Sequence, residues 1–431
     1  MRDSTLITII FIFIYLSWNL YMTYKLTSMS TEENEIINAL SKFEEAEKRL
    51  NLVLENEKQQ LDFLWEEVNN HTEEIKERPH PKLWAEPIPI LVFVCNRPNA
   101  IRDHLEKLIK FRPSKEKFPI IVSQDCDDER VVNEVKKFGN QVEYIKHAPG
   151  TSVKIDIPSL FKKMKSYYYI SRHYKLALSH VFSKMPYSTV IITEDDLDIA
   201  PDFFSYFSST RYLLEKDPSL YCVSAWNDNG KLEHIDWNAN TTLYRSDFFP
   251  GLGWMMTRKL WNELEVTWPS GFWDDWMREP AQRKGRQCIR PEISRSGMMA
   301  HGKSGVSKGQ FFTSHLSKIK LSDWTIDFAE VDLDYLLPEN YKKMMEQDLQ
   351  QSVEMSITQL TSEAWEPEKE NMKVKIVYSG NDEFAEMAVK LGIMKDLKAG
   401  VPRTAYNGIV TCFFKNTRIF LVPNILNSSN F

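Results

Sequence analysis

Apolar residues change their rhythm along this chain, and each rhythm predicts a different element. Thr5 to Tyr21 is an uncharged, mostly apolar run, and roughly twenty such residues at a helical rise cross a hydrocarbon core. The run exceeds a usual signal-peptide core, no A-x-A-like site follows, and bulky Trp18 and Tyr21 stand where small residues belong. This predicts an uncleaved membrane anchor over 5–25 behind a cytoplasmic tail of residues 1–4. Residues 31–79 are polar and acidic, with Ile36, Leu40, Phe43, Leu50, Leu54, Leu61, Leu64 and Val68 at a 4-3 spacing that Glu47 and Glu57 interrupt. Such a seam predicts a coiled-coil stalk over 26–85 that pairs two chains into a homodimer, with a single amphipathic helix as the alternative.

Past Pro79, Pro81, Pro87 and Pro89 the periods shorten and alternate. Ile88 to Cys95 is a continuous apolar run of the kind found in strands buried on both faces. Helical periodicity follows over Ile101–Lys110, then a strand over Phe118–Asp125, a helix over 130–138, a strand over 141–146 and a helix over 167–184. Strands alternating with helices predict an α/β sheet over 86–325, whose ligands bind beyond the carboxyl ends of the strands. From 326 to 431 a smaller subdomain is expected, with a strand at Val374–Tyr378, a helix at 381–391 and a hairpin over Gly408–Val422.

The next apolar strand, from Val190, runs straight into Glu194, Asp195 and Asp196. Three adjacent acids repel one another and are costly to desolvate. The cluster makes chemical sense if a hard divalent cation or a set of sugar hydroxyls sits against it, since carboxylate oxygen is what Mg²⁺ and Mn²⁺ prefer. A solvated acidic turn is the plainer alternative. Arg97, Asp125 and Asp196 all fall at or just past strand ends, so they converge on one edge of the sheet. Residues 220–320 are dense in Trp, Phe, Gly and Asp, a mixture that suits either an aromatic core or a site where rings pack on sugars.

Composition narrows the partners. The net charge of −6 offers no basic surface for nucleic acid. Five cysteines (Cys95, Cys126, Cys222, Cys288 and Cys412) allow two disulfides and one thiol, and none stands in a metal-binding spacing. Asn70, Asn240 and Asn427 begin N-glycosylation triplets. Together these favour a lumenal or extracellular bulk.

Longer strings then become specific: FPIIVSQDC (118–126), EDDL with APDFF (194–204), SLYCVSAWNDNGK (219–231), DFFPGLGW (247–254), FWDDWMR (272–278), RPEISR (290–295), GVSKGQFF (305–312) and GVPRTAYNGIVT (400–411). Over about residues 86–423 the chain resembles the alpha-1,3-mannosyl-glycoprotein 2-beta-N-acetylglucosaminyltransferase family. The resemblance implies a nucleotide-sugar-binding, Rossmann-like mixed sheet of the GT-A type and a single-pass type II membrane protein of the Golgi apparatus. It implies a Mn²⁺-dependent inverting transfer of N-acetylglucosamine from UDP-N-acetylglucosamine to the α1,3-linked mannose arm of N-glycans, which initiates hybrid and complex N-glycan synthesis. By the same resemblance Asp196 ligates the metal, Glu194 and Asp195 touch the donor's sugars, and Arg97, Asp125, His173 and Ser307 contact the uridine diphosphate. Asp274 is the implied base, Trp273 beside it meets substrate, and the disulfides join Cys95 to Cys126 and Cys222 to Cys288. Flanking Trp273 and Trp276 are expected to desolvate Asp274 and raise its basicity. Two other readings are β1,2-transfer to protein O-mannose and a non-catalytic Golgi glycan-binding protein.

Overall fold

The computed structural model describes residues 13–25, 41, 45–51, 53–55, 58, 86–306, 309–369 and 371–424. The chain divides into two units, Met1–Pro81 and Lys82–Phe431.

Every residue of β1 (Ile90–Val94) is apolar and buried, because the strand has a core on each face. Ile90, Val92 and Val94 enter one apolar cluster, and Leu91 and Phe93 enter another, the period-two alternation of a strand. β2 (Ile120–Gln124) lies parallel to β1, and β3 (Val142–Lys146) lies parallel to β2. Helices α1 (Pro98–Phe111), α2 (Glu129–Lys136) and α3 (Lys165–Lys184) punctuate these strands, as the hydrophobic periods predict. The chain then returns to the other flank of β1 with β4 (Thr189–Glu194), again parallel. Strand order therefore reverses between β1 and β4, the kind of switch point at which open α/β sheets bind ligands.

The second half turns the sheet into a mixed one. After β5 (Leu197–Ile199) and α4 (Phe203–Lys216) come β6 (Leu220–Ser224), β7 (Leu243–Ser246), β8 (Trp254–Thr257) and β9 (Gln287–Pro291). The eight-stranded order is β3-β2-β1-β4-β8-β6-β9-β7, with β8 antiparallel to both β4 and β6. β10 (Ser296–Met298) pairs antiparallel with β5. The Cys95–Cys126 disulfide staples the segments leaving β1 and β2, and Cys222–Cys288 staples β6 to β9. Cys412 remains a buried thiol, its pKa pushed up to about 12 by burial.

Residues beyond 326 contribute to two cores. Phe328, Leu333, Leu336, Tyr341 and Met345, together with Tyr406, Ile409, Phe420 and Val422, pack into the cluster under β1. A separate cluster fills the space around β12 (Lys373–Tyr378) and β16 (Thr417–Pro423), which pair in parallel. β11 (Val353–Glu354), β13 (Leu397–Lys398), β14 (Val401–Pro402) and β15 (Val410–Phe414) complete the small sheets. The expected hairpin is β15 against β16.

In the N-terminal unit, residues 13–25 and 45–51 are helical, and Leu50, Val53 and Leu54 are exposed. Among the described residues no helix is long and apolar enough to cross a membrane. Residues 5–12 of the expected anchor, most of the seam, and the acceptor asparagines Asn70 and Asn427 lie outside the described residues. Asn240 lies in a half-buried turn before β7.

Candidate active site

The acidic triplet forms the end of β4 and the turn into β5. A buried histidine holds that turn from behind. His104 of α1 is 0% exposed; its Nδ1 lies 2.6 Å from the Leu197 carbonyl and its Nε2 2.9 Å from the Thr193 hydroxyl. A carbonyl can only accept, so Nδ1 carries the proton and Nε2 accepts from Thr193. One neutral imidazole thus ties both ends of the Thr193–Leu197 turn.

Burial lowers the His104 pKa to about 4. In the unfolded chain it titrates near about 6.5, so as pH falls from there the unfolded state takes up a proton that the fold refuses. Stability is expected to be undiminished above that value and to fall by up to about 1.4 kcal/mol per pH unit towards the folded pKa. His104→Gln, whose amide can serve the same two partners, should flatten the pH dependence of urea unfolding in that window. Equal slopes for the two proteins would contradict this.

In front of the turn, Arg97 opens α1 at the end of β1. Its Nη2 and Nε grip Asp195, and its Nη1 donates to Asp196 Oδ2 at 2.7 Å. Burial works against the guanidinium's charge, but Asp195 and Asp196 overcome it and raise its pKa. Glu194 accepts instead from the Tyr174 hydroxyl at 2.8 Å. Burial is also the main reason that Glu194 and Asp195 are pushed up from the ordinary carboxylate range, with the neighbouring Asp196 charge adding to it. Among the described residues Arg97 is the cation hydrogen-bonded to the triplet, so three carboxylates face one guanidinium. That surplus of hard oxygen donors fits a divalent cation.

Asp125, at the end of β2, is 5% exposed, and burial raises its pKa to about 6. His173 on α3 places Nδ1 3.3 Å from Asp125 Oδ1 and Nε2 2.9 Å from the Ser123 hydroxyl. Burial drives the imidazole well below its usual pKa, so this contact joins Asp125 to a neutral ring rather than forming an ion pair. The sulfurs of Cys95 and Cys126 beside Asp125 are joined to each other and leave no thiolate for a metal.

Asp274 lies on the short helix α5 (Trp273–Arg278), entered through Phe272 in the left-handed region at φ 54°. Its Oδ2 accepts from Arg278 Nη1 at 3.0 Å, and the same nitrogen donates to Asp275 Oδ1 at 2.9 Å. Lys398 approaches Asp275 at 3.1 Å. The expectation of a desolvated base is corrected here, because the Asp274 side chain is 43% exposed. Trp273 turns inward and is 7% exposed; Trp276 leans on Trp268. Residues one or two positions apart on a helix do not share a face, and Trp273 and Trp276 stand one and two positions from Asp274.

Trp273 has another task. Its indole stacks on Tyr174 with centroids 4.1 Å apart, and Tyr174 stacks on Phe93 of β1 at 3.9 Å. The chain of contacts Glu194–Tyr174–Trp273 therefore links the acidic triplet to the residue preceding Asp274. Tyr174, His104 and Arg278 are residues that sequence reasoning missed. Tyr174 follows His173 directly, but nothing in one sequence marks it as the link. Ser307 lies outside the described residues.

An alpha-1,3-mannosyl-glycoprotein 2-beta-N-acetylglucosaminyltransferase of Arabidopsis thaliana is 40% identical over 337 residues, covering 77% of this chain and 73% of that protein. Solved structures show weaker likeness. A mannosyltransferase of Pyrobaculum calidifontis in complex with GDP-Man and Mn²⁺ is 14% identical over 66% of this chain and 75% of its own, with a TM-score of 0.34. GalNAc-T7 with UDP, GalNAc and Mn²⁺ is 12% identical over 49% of this chain and 43% of its own, also at 0.34. These two add nothing to the assignment. The model of the GNT-I family matches residues 1–430, and the chain belongs to that family.

Proposed function

We propose that this chain transfers N-acetylglucosamine from UDP-N-acetylglucosamine to the 2-hydroxyl of the α1,3-linked mannose arm of N-glycans, with inversion. The observation that carries the reading is the Glu194–Tyr174–Trp273 linkage, which sets an accessible carboxylate, Asp274, at a fixed place relative to the acidic strand end. Asp274 takes the proton from the attacking mannose hydroxyl as the new bond to the anomeric carbon forms. The bond from that carbon to the diphosphate breaks, and UDP departs. Arg278 pairs with both Asp274 and Asp275, so its charge stays matched when Asp274 becomes neutral.

Asp196, with Asp195 and Glu194 beside it, would hold Mn²⁺. Bound there, the cation would neutralise the charge gathering on the leaving diphosphate. Asp125 and His173 offer a buried carboxylate and a neutral imidazole to the uridine, and Ser307 is assigned to the diphosphate. We place the enzyme in the Golgi membrane as a type II protein, anchored through residues 5–25 and paired through its stalk.

The test is incubation of the full chain with UDP-N-acetylglucosamine, Mn²⁺ and a five-mannose N-glycan, beside an O-mannosyl peptide. One β1,2-linked N-acetylglucosamine on the α1,3 arm is expected, read by mass and NMR, with little on the peptide. Folded protein that releases no product on the glycan would sink the proposal.

A further inference from the structure

A cluster of part-exposed aromatic rings surrounds the segment that leads into α5. Phe272 adopts a left-handed backbone, which L side chains take up only at a cost. That turn lays its ring on Tyr167, centroids 4.8 Å apart and planes 19° from parallel. Phe161 meets the same ring edge-on at 5.3 Å, and Tyr168 at 5.8 Å. Tyr168 is buried and supports the group from below. Gly271 permits the approach, because a Cβ there would sit 3.0 Å from the Tyr168 ring. Above this support Phe161, Tyr167 and Phe272 are all part-exposed, and Leu160 extends the surface at 82% exposure.

The position of this ledge is informative. Phe272 stands two residues before Asp274, and the Tyr167 phenol is close enough for the charges of Asp274 and Asp275 to act on it. Arg97 and the triplet carry the charged groups suited to a diphosphate, whereas the three rings of the ledge are themselves uncharged and lie on the side of the base, although exposed Lys162, Lys163 and Lys165 neighbour Phe161 along the chain. Pyranose rings present C–H faces that pack on aromatic rings. Part-exposed aromatic rings gathered beside a reactive group suit a binding surface for such a ring. Among the described residues the Tyr167 hydroxyl has no hydrogen-bond partner, leaving it available to a sugar hydroxyl.

We propose that Phe161, Tyr167 and Phe272 form a carbohydrate platform that holds the acceptor's sugar rings beyond the mannose being modified. This rests on the transferase reading above for the direction from which the acceptor arrives. The platform makes the enzyme read an oligosaccharide, not a single mannose.

The experiment uses the full chain with UDP-N-acetylglucosamine and Mn²⁺, and compares a five-mannose glycan with methyl α-mannoside. For Tyr167→Ala, KM for the glycan is expected to rise about tenfold, the scale of one lost aromatic contact. kcat and the constants for the monosaccharide should not move, which also reports an intact fold. Phe161→Ala should behave alike, and Tyr167→Phe should retain most of the glycan affinity. An equal rise for both acceptors, or none, would overturn the platform. Saturation-transfer NMR of the glycan in the presence of UDP keeps the two readings apart. Glycan bound by the wild type and bound about tenfold more weakly by Tyr167→Ala, without turnover in either, would refute the transferase and keep the platform. No glycan binding by the wild type would refute the platform.

Discussion

Asp274→Asn is expected to lower kcat about a thousandfold, the middle of the range for losing a general base, while leaving the affinity for UDP-N-acetylglucosamine unchanged. The amide has the same shape and its oxygen can still accept from Arg278 Nη1, as Asp274 Oδ2 does at 3.0 Å, so geometry is preserved and only the proton acceptor is lost. The adjacent Asp275 supplies the control. Although burial works against its charge, Lys398 and Arg278 outweigh that and hold its carboxyl below the usual range, which weakens Asp275 as a proton acceptor. Asp274 is also the acid whose charge reaches Glu194 and Tyr174. Asp275→Asn should therefore reduce kcat far less than Asp274→Asn. Steady-state kinetics with calorimetric donor binding decide the matter. A drop for Asp274→Asn smaller than about tenfold would put the base elsewhere.

The parts of this design that could be read from the chain are those encoded by local rhythm. β1 is recognisable because burial on both faces demands an unbroken apolar run, and the acid triplet is conspicuous because a strand end tolerates it only with a purpose. What stayed hidden depends on contacts between distant segments. Tyr174 joins Glu194 twenty positions later and Trp273 on another helix, and each looks like ordinary core material in its own window. The exposure of Asp274 is hidden in the sequence for a related reason. Tryptophans one and two positions away suggest a dry carboxylate, yet on α5 both turn towards Trp268 and away from the Asp274 side chain. Phe328 and Tyr341 illustrate the same limit, since periodicity shows that a residue is buried but not which core receives it.

Asp196→Asn is expected to weaken Mn²⁺-dependent binding of UDP-N-acetylglucosamine at least about a hundredfold, since even outer partners of metal ligands cost up to that much. The same substitution should leave the metal-free protein no less stable, and the two effects together identify the residue's purpose. Glu194 and Asp195 are already pushed towards protonation by burial and by the charge of Asp196, so an uncharged residue there relieves repulsion. Arg97 keeps its grip on Asp195 through Nε and Nη2 when its Nη1 partner at 2.7 Å becomes neutral. A carboxylate retained for folding would behave in the opposite way, with stability falling in chelator. Wild-type protein should gain thermal stability when Mn²⁺ and UDP are added, because a ligand that binds the folded state alone stabilises it by mass action. The variant should gain far less under the same conditions. If the variant bound donor with Mn²⁺ as tightly as the wild type, the strand end would not be the cation site. The repulsion stored among its three acids would then lack an explanation in catalysis.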